Sequence, residues 1–204
     1  MGKALSIAVL VFMAAPAMGQ MWTEGRHFEV YENPMSDLEN TVVEWFWIGS
    51  PQCESLEPIM QDWKQDAKPD KVEFIQIPGT FNPVWRKHAE FVYIMQGAGA
   101  LEDPENREKL YEVTKEDSEL GSINKVPKMA EAFGTTEAKV RKAGKSEKTQ
   151  NLASKNAEIT SQYRSEIDGV PFIVVDGKYV INNENVQQED IPELINHLLS
   201  LDKR

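Results

Sequence analysis

The strongest hydrophobic pattern in the chain is TVVEWFWI, Thr41 to Ile48. It is a near-continuous run of β-branched and aromatic side chains, as in a central strand covered on both faces. One carboxylate, Glu44, interrupts it. The period then changes. Leu56, Ile59, Met60 and Trp63 stand at i, i+3, i+4 and i+7, on one face of a helix. KVEFIQI, Lys71 to Ile77, has strand character again, and Pro78–Gly79 ends it. HFEV, His27 to Val30, reads as a short first strand. A helical crossover between the two longer strands implies that they pair in parallel.

From Asn82 to Glu166 the pattern is helical throughout. NPVWRKHAEFVYIMQ opens with Asn82 as cap and Pro83 at the first position, and EDPENREKLYEVTK repeats that start with Asp103 and Pro104. VPKMAEAFG is predicted to be a helix stopped by Gly134, and TTEAKVRKA and NLASKNAEITSQYRS give two more. VPFIVVDGKYVIN then predicts two short strands around a two-residue turn, Asp176–Gly177. In the closing segment Ile191, Leu194, Ile195, Leu198 and Leu199 line one face of a helix. The order is βαβ, a helical block, then ββα. It predicts an α/β fold in which residues 20–81 and 167–204 form one mixed sheet covered by helices, and residues 82–166 form an all-helical insertion.

The first residues stand outside this pattern. Lys3 precedes the apolar stretch ALSIAVLVFM, and APAMGQ offers small residues at cleavage spacing. Residues 1–19 read as a signal peptide cut after Gly19, with a cut after Ala17 or an uncleaved anchor as alternatives. Export, with the periplasm as the expected compartment, changes how the rest is read. Disulfides persist in oxidising compartments, yet Cys53 is the one cysteine among 204 residues. It either lies buried and inert or pairs with another molecule. With 22 basic against 33 acidic residues the formal net charge is −11, which argues against nucleic acid and anionic membrane surfaces as partners. His27, His88 and His197 have no metal-ligand spacing, so no metal is expected.

The candidate chemistry centres on IGSPQCESLEP, Ile48 to Pro58. Ser50 stands where a C-x-x-C motif would carry its first cysteine. Serine is also a preferred N-cap and proline is favoured at the next position, so Ser50–Pro51 starts a helix well without any chemistry. A serine hydroxyl forms no S–S bond, and without a base it is a poor nucleophile. Cys53, one turn into the helix, is either a small buried apolar residue or a functional thiol. Glu44 either points to solvent near the strand's end or is a buried carboxylate, which is costly unless protonated or paired.

Four stretches together resemble the DsbA family of periplasmic thiol:disulfide interchange proteins. VVEWFWIGSPQCESLEP is similar to that family's strand, acid, aromatic pair and C-P-x-C helix start. FNPVWRKHAEFVY resembles its first inserted helix. GVPFIVVDGKYVIN resembles its cis-proline loop and hairpin, and the leader fits the compartment. The resemblance implies a thioredoxin-like fold with a helical insertion. It makes Cys53, Ser50 and Glu44 the remnant of a redox site, with the nucleophilic cysteine replaced by Ser50 and Glu44 as a buried proton relay. It makes Pro51, Gln52, Val170 and Pro171 a binding surface for client peptide, with Val170–Pro171 cis. The dithiol cycle cannot run within the chain, leaving single-thiol chemistry or client binding of a chaperone kind. The implied partners are unfolded or extended exported polypeptides and a membrane redox partner, with no cofactor. The alternative is a glutathione-binding enzyme resembling kappa-class transferases and chromene-carboxylate isomerases, in which a serine at Ser50 holds the glutathione thiolate.

Overall fold

In the computed structural model, residues 21–116 and 125–201 are described. The leader lies outside the described residues. Five strands form one mixed sheet in the order β1-β5-β4-β2-β3. These are β1 (Phe28–Val30), β2 (Thr41–Phe46), β3 (Glu73–Pro78), β4 (Phe172–Val175) and β5 (Tyr179–Ile181). β2 and β3 are parallel, joined through α1 (Pro51–Asp62) and a π-helical turn over Trp63–Ala67. The remaining pairs are antiparallel.

All six residues of β2 are buried. The pleat sends alternate residues to opposite faces. Val42 packs with Leu56, Met60 and Trp63 and with the apolar stripe of α6 (Ile191–Leu201). Val43 and Trp45 pack on the other face with Ile159 and Tyr163 of α5 (Glu147–Tyr163). Glu44 therefore shares the α1 face with Val42 and Phe46.

Between β3 and β4 the chain is helical. Asn82 caps α2 (Pro83–Gly97) by accepting from the Val84 and Trp85 N–H groups at 2.9 and 3.0 Å. Asp103 accepts from the Glu105 N–H at the start of α3 (Pro104–Glu116). α4 (Glu137–Ala143) follows the turn at Gly134. Phe91, Met95, Leu110, Phe133 and Val140 build an apolar cluster that reaches back to Phe46, Ile48 and Cys53. The core of the helical block thus runs under the start of α1.

Two local expectations differ from the structure. VPKMAEAF forms two 3₁₀ turns, Val126–Met129 and Glu131–Phe133, rather than an α-helix. Pro127 removes an early donor and Gly134 takes a left-handed φ of 60°, so the segment is too short for regular i→i−4 bonding. The hairpin turns through Asp176 and Gly177, both at positive φ, but pairing starts at Val175 opposite Tyr179, so Lys178 belongs to the loop. Gly177 is required there for a second reason. A Cβ at this position would lie 2.3 Å from the Met35 carbonyl oxygen.

Candidate functional site

Ser50 ends the loop after β2 in an extended conformation, and its Oγ accepts the Cys53 N–H at 3.3 Å. This is an N-cap bond. The hydroxyl proton is directed to Gln52 Oε1, also at 3.3 Å. Neither partner is a base. The loop is held by aromatic packing. Trp47 stacks on Trp85 with ring centroids 4.6 Å apart and donates Nε1–H to His88 Nδ1 at 2.9 Å. A Cβ on Gly49 would approach the Trp47 ring to 2.5 Å, so only glycine lets the indole close over the turn. His88, buried on α2, is a positioning partner of Trp47.

Cys53 has no solvent exposure. Burial pushes its thiol pKa up to about 12, and the nearby carboxylates Glu44 and Glu57 add to the rise. Hydrogen bonding with the Ser50 side chain and the Trp47 backbone acts the other way, more strongly than the two carboxylates but less than burial. The helix N-terminus would favour a thiolate, but desolvation wins here.

Below Cys53 lies a buried polar network. Glu44 on β2 faces Gln76 on β3 in register. Gln76 Nε2 donates to Glu44 Oε2 and to Glu57 Oε2, both at 3.0 Å. Glu57, one turn after Cys53, also accepts from Gln61 Nε2 at 2.8 Å, from Tyr111 Oη at 3.2 Å, and from Arg107 Nε in an ion pair. Arg107 and Tyr111 come from α3, so the network joins sheet, α1 and the inserted helices. The two carboxylates differ in their support. Glu57 has four donors; Glu44 has one, and its Oε1 is buried without a partner. Burial raises the Glu44 pKa to about 8, and the charge of Glu57 adds to it, while Gln76 and Arg107 oppose. Glu44 is therefore predominantly a neutral acid at pH 7.

Sequence reasoning singled out Glu44 but missed Glu57, Gln76, Arg107 and Tyr111. A signal existed for one of them. Glu57 is four residues after Cys53 and so on the same helix face.

The peptide bond Val170–Pro171 is cis. Val170 packs against both the insertion's apolar cluster and the cluster under α5. Pro171 and Val170 line an open groove of about 1050 Å³, together with Gln52, Asn183, Gln188 and Ile191. Gln188 ties the groove to α1: its Nε2 donates to the Gln52 carbonyl at 2.9 Å, and its Oε1 accepts from Ser55 Oγ at 2.8 Å. Asn183 Nδ2 donates to the Pro171 carbonyl, leaving Asn183 Oδ1 buried without a partner. The structure thus brings Ser50, Cys53 and Glu44 together in one stack through α1. Pro51 and Gln52 are exposed at the top, and Gln52 shares the groove with Val170 and Pro171. Among the described residues no group of acidic, histidine or cysteine side chains is arranged to hold a metal ion.

A mixed sheet with a βαβ…ββα order, a cis-proline in the groove beside the first helix and a helical insertion defines a thioredoxin-like fold. No family model matches the chain. Its sequence is 27% identical over 139 residues to the thiol:disulfide interchange protein DsbA of Azotobacter vinelandii, covering 68% of this chain and 63% of that protein. It is 25% identical over 179 residues to the DsbA of Burkholderia cepacia, covering 86% and 81%. The match thus spans less than two thirds of the Azotobacter relative's length. The fold superposes on Pseudomonas aeruginosa DsbA with a TM-score of 0.78 at 22% identity, over 89% of this chain and 95% of that one. It also superposes on a cysteine-to-serine variant of Proteus mirabilis DsbA with the non-covalently bound peptide PWATCDS, with a TM-score of 0.73 at 18% identity, over 89% and 100%. In sequence and in fold the chain is thus similar to DsbA proteins, and it carries a single cysteine, Cys53. Among the described residues no helix is long and apolar enough to cross a membrane.

Proposed function

We propose that this chain is an exported, DsbA-like protein that binds extended polypeptide segments and does not donate disulfides. The observation that carries the reading is the state of Cys53. It is the single cysteine of the chain and its thiol is fully buried. Disulfide donation moves two electrons from a client's two thiols onto a disulfide held by the donor, and one cysteine cannot hold that disulfide within the chain. Exchange also starts at a thiolate. A thiol with its pKa near 12 supplies almost none at neutral pH, so single-thiol chemistry has little support.

Peptide binding needs no sulfur. An extended segment adds to a protein by backbone pairing, with side chains entering neighbouring pockets. The open groove beside Val170 and cis-Pro171 suits that mode. The serine variant of Proteus mirabilis DsbA, which holds a peptide non-covalently, supports it by analogy. The periplasm as compartment rests on the leader and on the kinship with DsbA.

The test is oxidation of a reduced client with two thiols. The unmodified chain is expected to leave the rate of disulfide formation unchanged, and Ser50→Cys to raise it. Catalytic turnover by the unmodified chain would refute the reading.

A further inference from the structure

The charge of the groove beside cis-Pro171 goes further than its shape. This step rests on the peptide-binding reading and names the chemistry of the client: we infer that the groove selects extended segments carrying lysine or arginine. Five carboxylates line it, Glu29, Glu32, Glu166, Asp168 and Glu184, and no lysine or arginine does. They come from three separate parts of the chain: β1 and the turn after it, the loop after α5, and the connection from β5 to α6. Among the described residues none of them enters an ion pair. The ion pairs among the described residues lie elsewhere, between Arg107 and Glu57, between Lys115 and both Glu54 and Glu112, and between Arg141 and Glu137. The groove's negative field is therefore not cancelled locally.

Two further observations decide what kind of cation fits. The carboxylates do not converge on a point; no set of them could hold a metal ion. They are spread around an opening of about 1050 Å³, at or above the upper end of the usual size for a small-molecule pocket. A ligand whose charges are spread along its length matches that distribution, and a single small cation does not. An extended chain places alternate side chains on one side roughly 7 Å apart, so lysines at alternate positions would each meet a different part of the wall. The second observation is the hydrogen-bonding bias of the wall. Beyond the carboxylates it includes Asn183, whose Nδ2 is held by the Pro171 carbonyl and whose Oδ1 lies buried without a donor. A wall rich in acceptors favours a ligand rich in donors.

The experiment is calorimetric titration with three acetylated, amidated nonapeptides that differ only at alternate positions, carrying lysine, glutamine or glutamate. All five groove carboxylates are exposed, so the triple variant Glu32→Gln, Asp168→Asn, Glu184→Gln should fold normally. Exposed pairs are individually weak, but several acting together should make the lysine peptide bind roughly tenfold more tightly than the glutamine peptide. The triple variant should erase the preference for the lysine peptide over the glutamine peptide. Glu137→Gln, on α4 outside the groove, should retain the preference. Equal affinity of the unmodified chain for the lysine and glutamine peptides would overturn the inference while leaving the peptide-binding reading standing. So would a preference that survives the triple variant, or one that Glu137→Gln abolishes. Absence of binding by all three peptides would overturn both.

Discussion

Ser50 Oγ accepts the Cys53 N–H at 3.3 Å, while the Cys53 thiol lies wholly inside the protein. Ser50 thus serves the helix as a cap, and Cys53 serves the core. This arrangement predicts that a thiol reagent leaves Cys53 unmodified in the native protein at pH 7 to 8 and modifies it fully after denaturation. Burial protects it twice, by excluding the reagent and by holding the thiol protonated. Labelling of the folded protein at the rate of a free thiol would show that Cys53 is accessible.

The cap itself has a measurable weight. Ser50→Ala removes the acceptor for the Cys53 N–H and should cost about 1 kcal/mol. For a chain of this size that is a fall in Tm of roughly 2–4 °C. Ser50→Asp should keep most of the stability, because aspartate caps equally well. Differential scanning calorimetry of the two variants separates capping from chemistry, since neither can exchange disulfides.

Glu44 predicts a pH dependence with a definite sign. Its pKa is about 8 in the folded chain, against an ordinary value near 4.5. The folded state therefore binds this proton more tightly than the unfolded state. The contribution is fully present below about pH 4.5, falls as pH rises, and is lost through pH 8. Glu44→Gln keeps a neutral, hydrogen-bonding side chain and removes the titration. Urea denaturation should show the variant gaining stability over the unmodified chain as pH rises from 4.5 to 8, by an amount on the order of a few kcal/mol. Parallel pH profiles for the two proteins would contradict the buried, neutral state of Glu44.

Among the described residues, Arg107 is the cation that pairs with Glu57 beneath α1. Removing one partner of a buried ion pair leaves the other uncompensated and costs roughly 3–5 kcal/mol. Arg107→Ala should be destabilising by about that much in denaturant titrations. It should also push the Glu44 midpoint further up, because the Arg107 charge opposes the rise. Arg107→Lys should recover part of both effects. A variant that loses stability without moving the pH profile would show that Arg107 only fills space.

Much of the scaffold was legible because local physics sets it. The run Thr41 to Phe46, the caps Ser50 and Asn82, the stripe from Ile191 to Leu199 and the turn at Asp176–Gly177 all follow from side-chain period and backbone preference. The short segment Val126 to Phe133 misled, since its apolar spacing is helical but Pro127 and Gly134 leave no room for a regular turn. The polar network was illegible for a different reason. Glu57 and Arg107 are 50 residues apart in sequence, and nothing in either neighbourhood states that α3 will lie against α1. The groove's charge was hidden likewise, because Glu29, Asp168 and Glu184 become neighbours only when β1, β5 and the loop after α5 meet. The sequence shows their acidity but not their shared address.

The most direct measurement of the central claim is calorimetric titration of the chain and of its Cys53→Ala variant with an extended peptide that contains no cysteine. Binding at the groove beside cis-Pro171 without disulfide exchange predicts that both proteins bind it with the same affinity, and that Asp168→Asn combined with Glu184→Gln weakens both alike for a lysine-bearing peptide. Binding that requires Cys53, or no binding by either protein, would contradict the account.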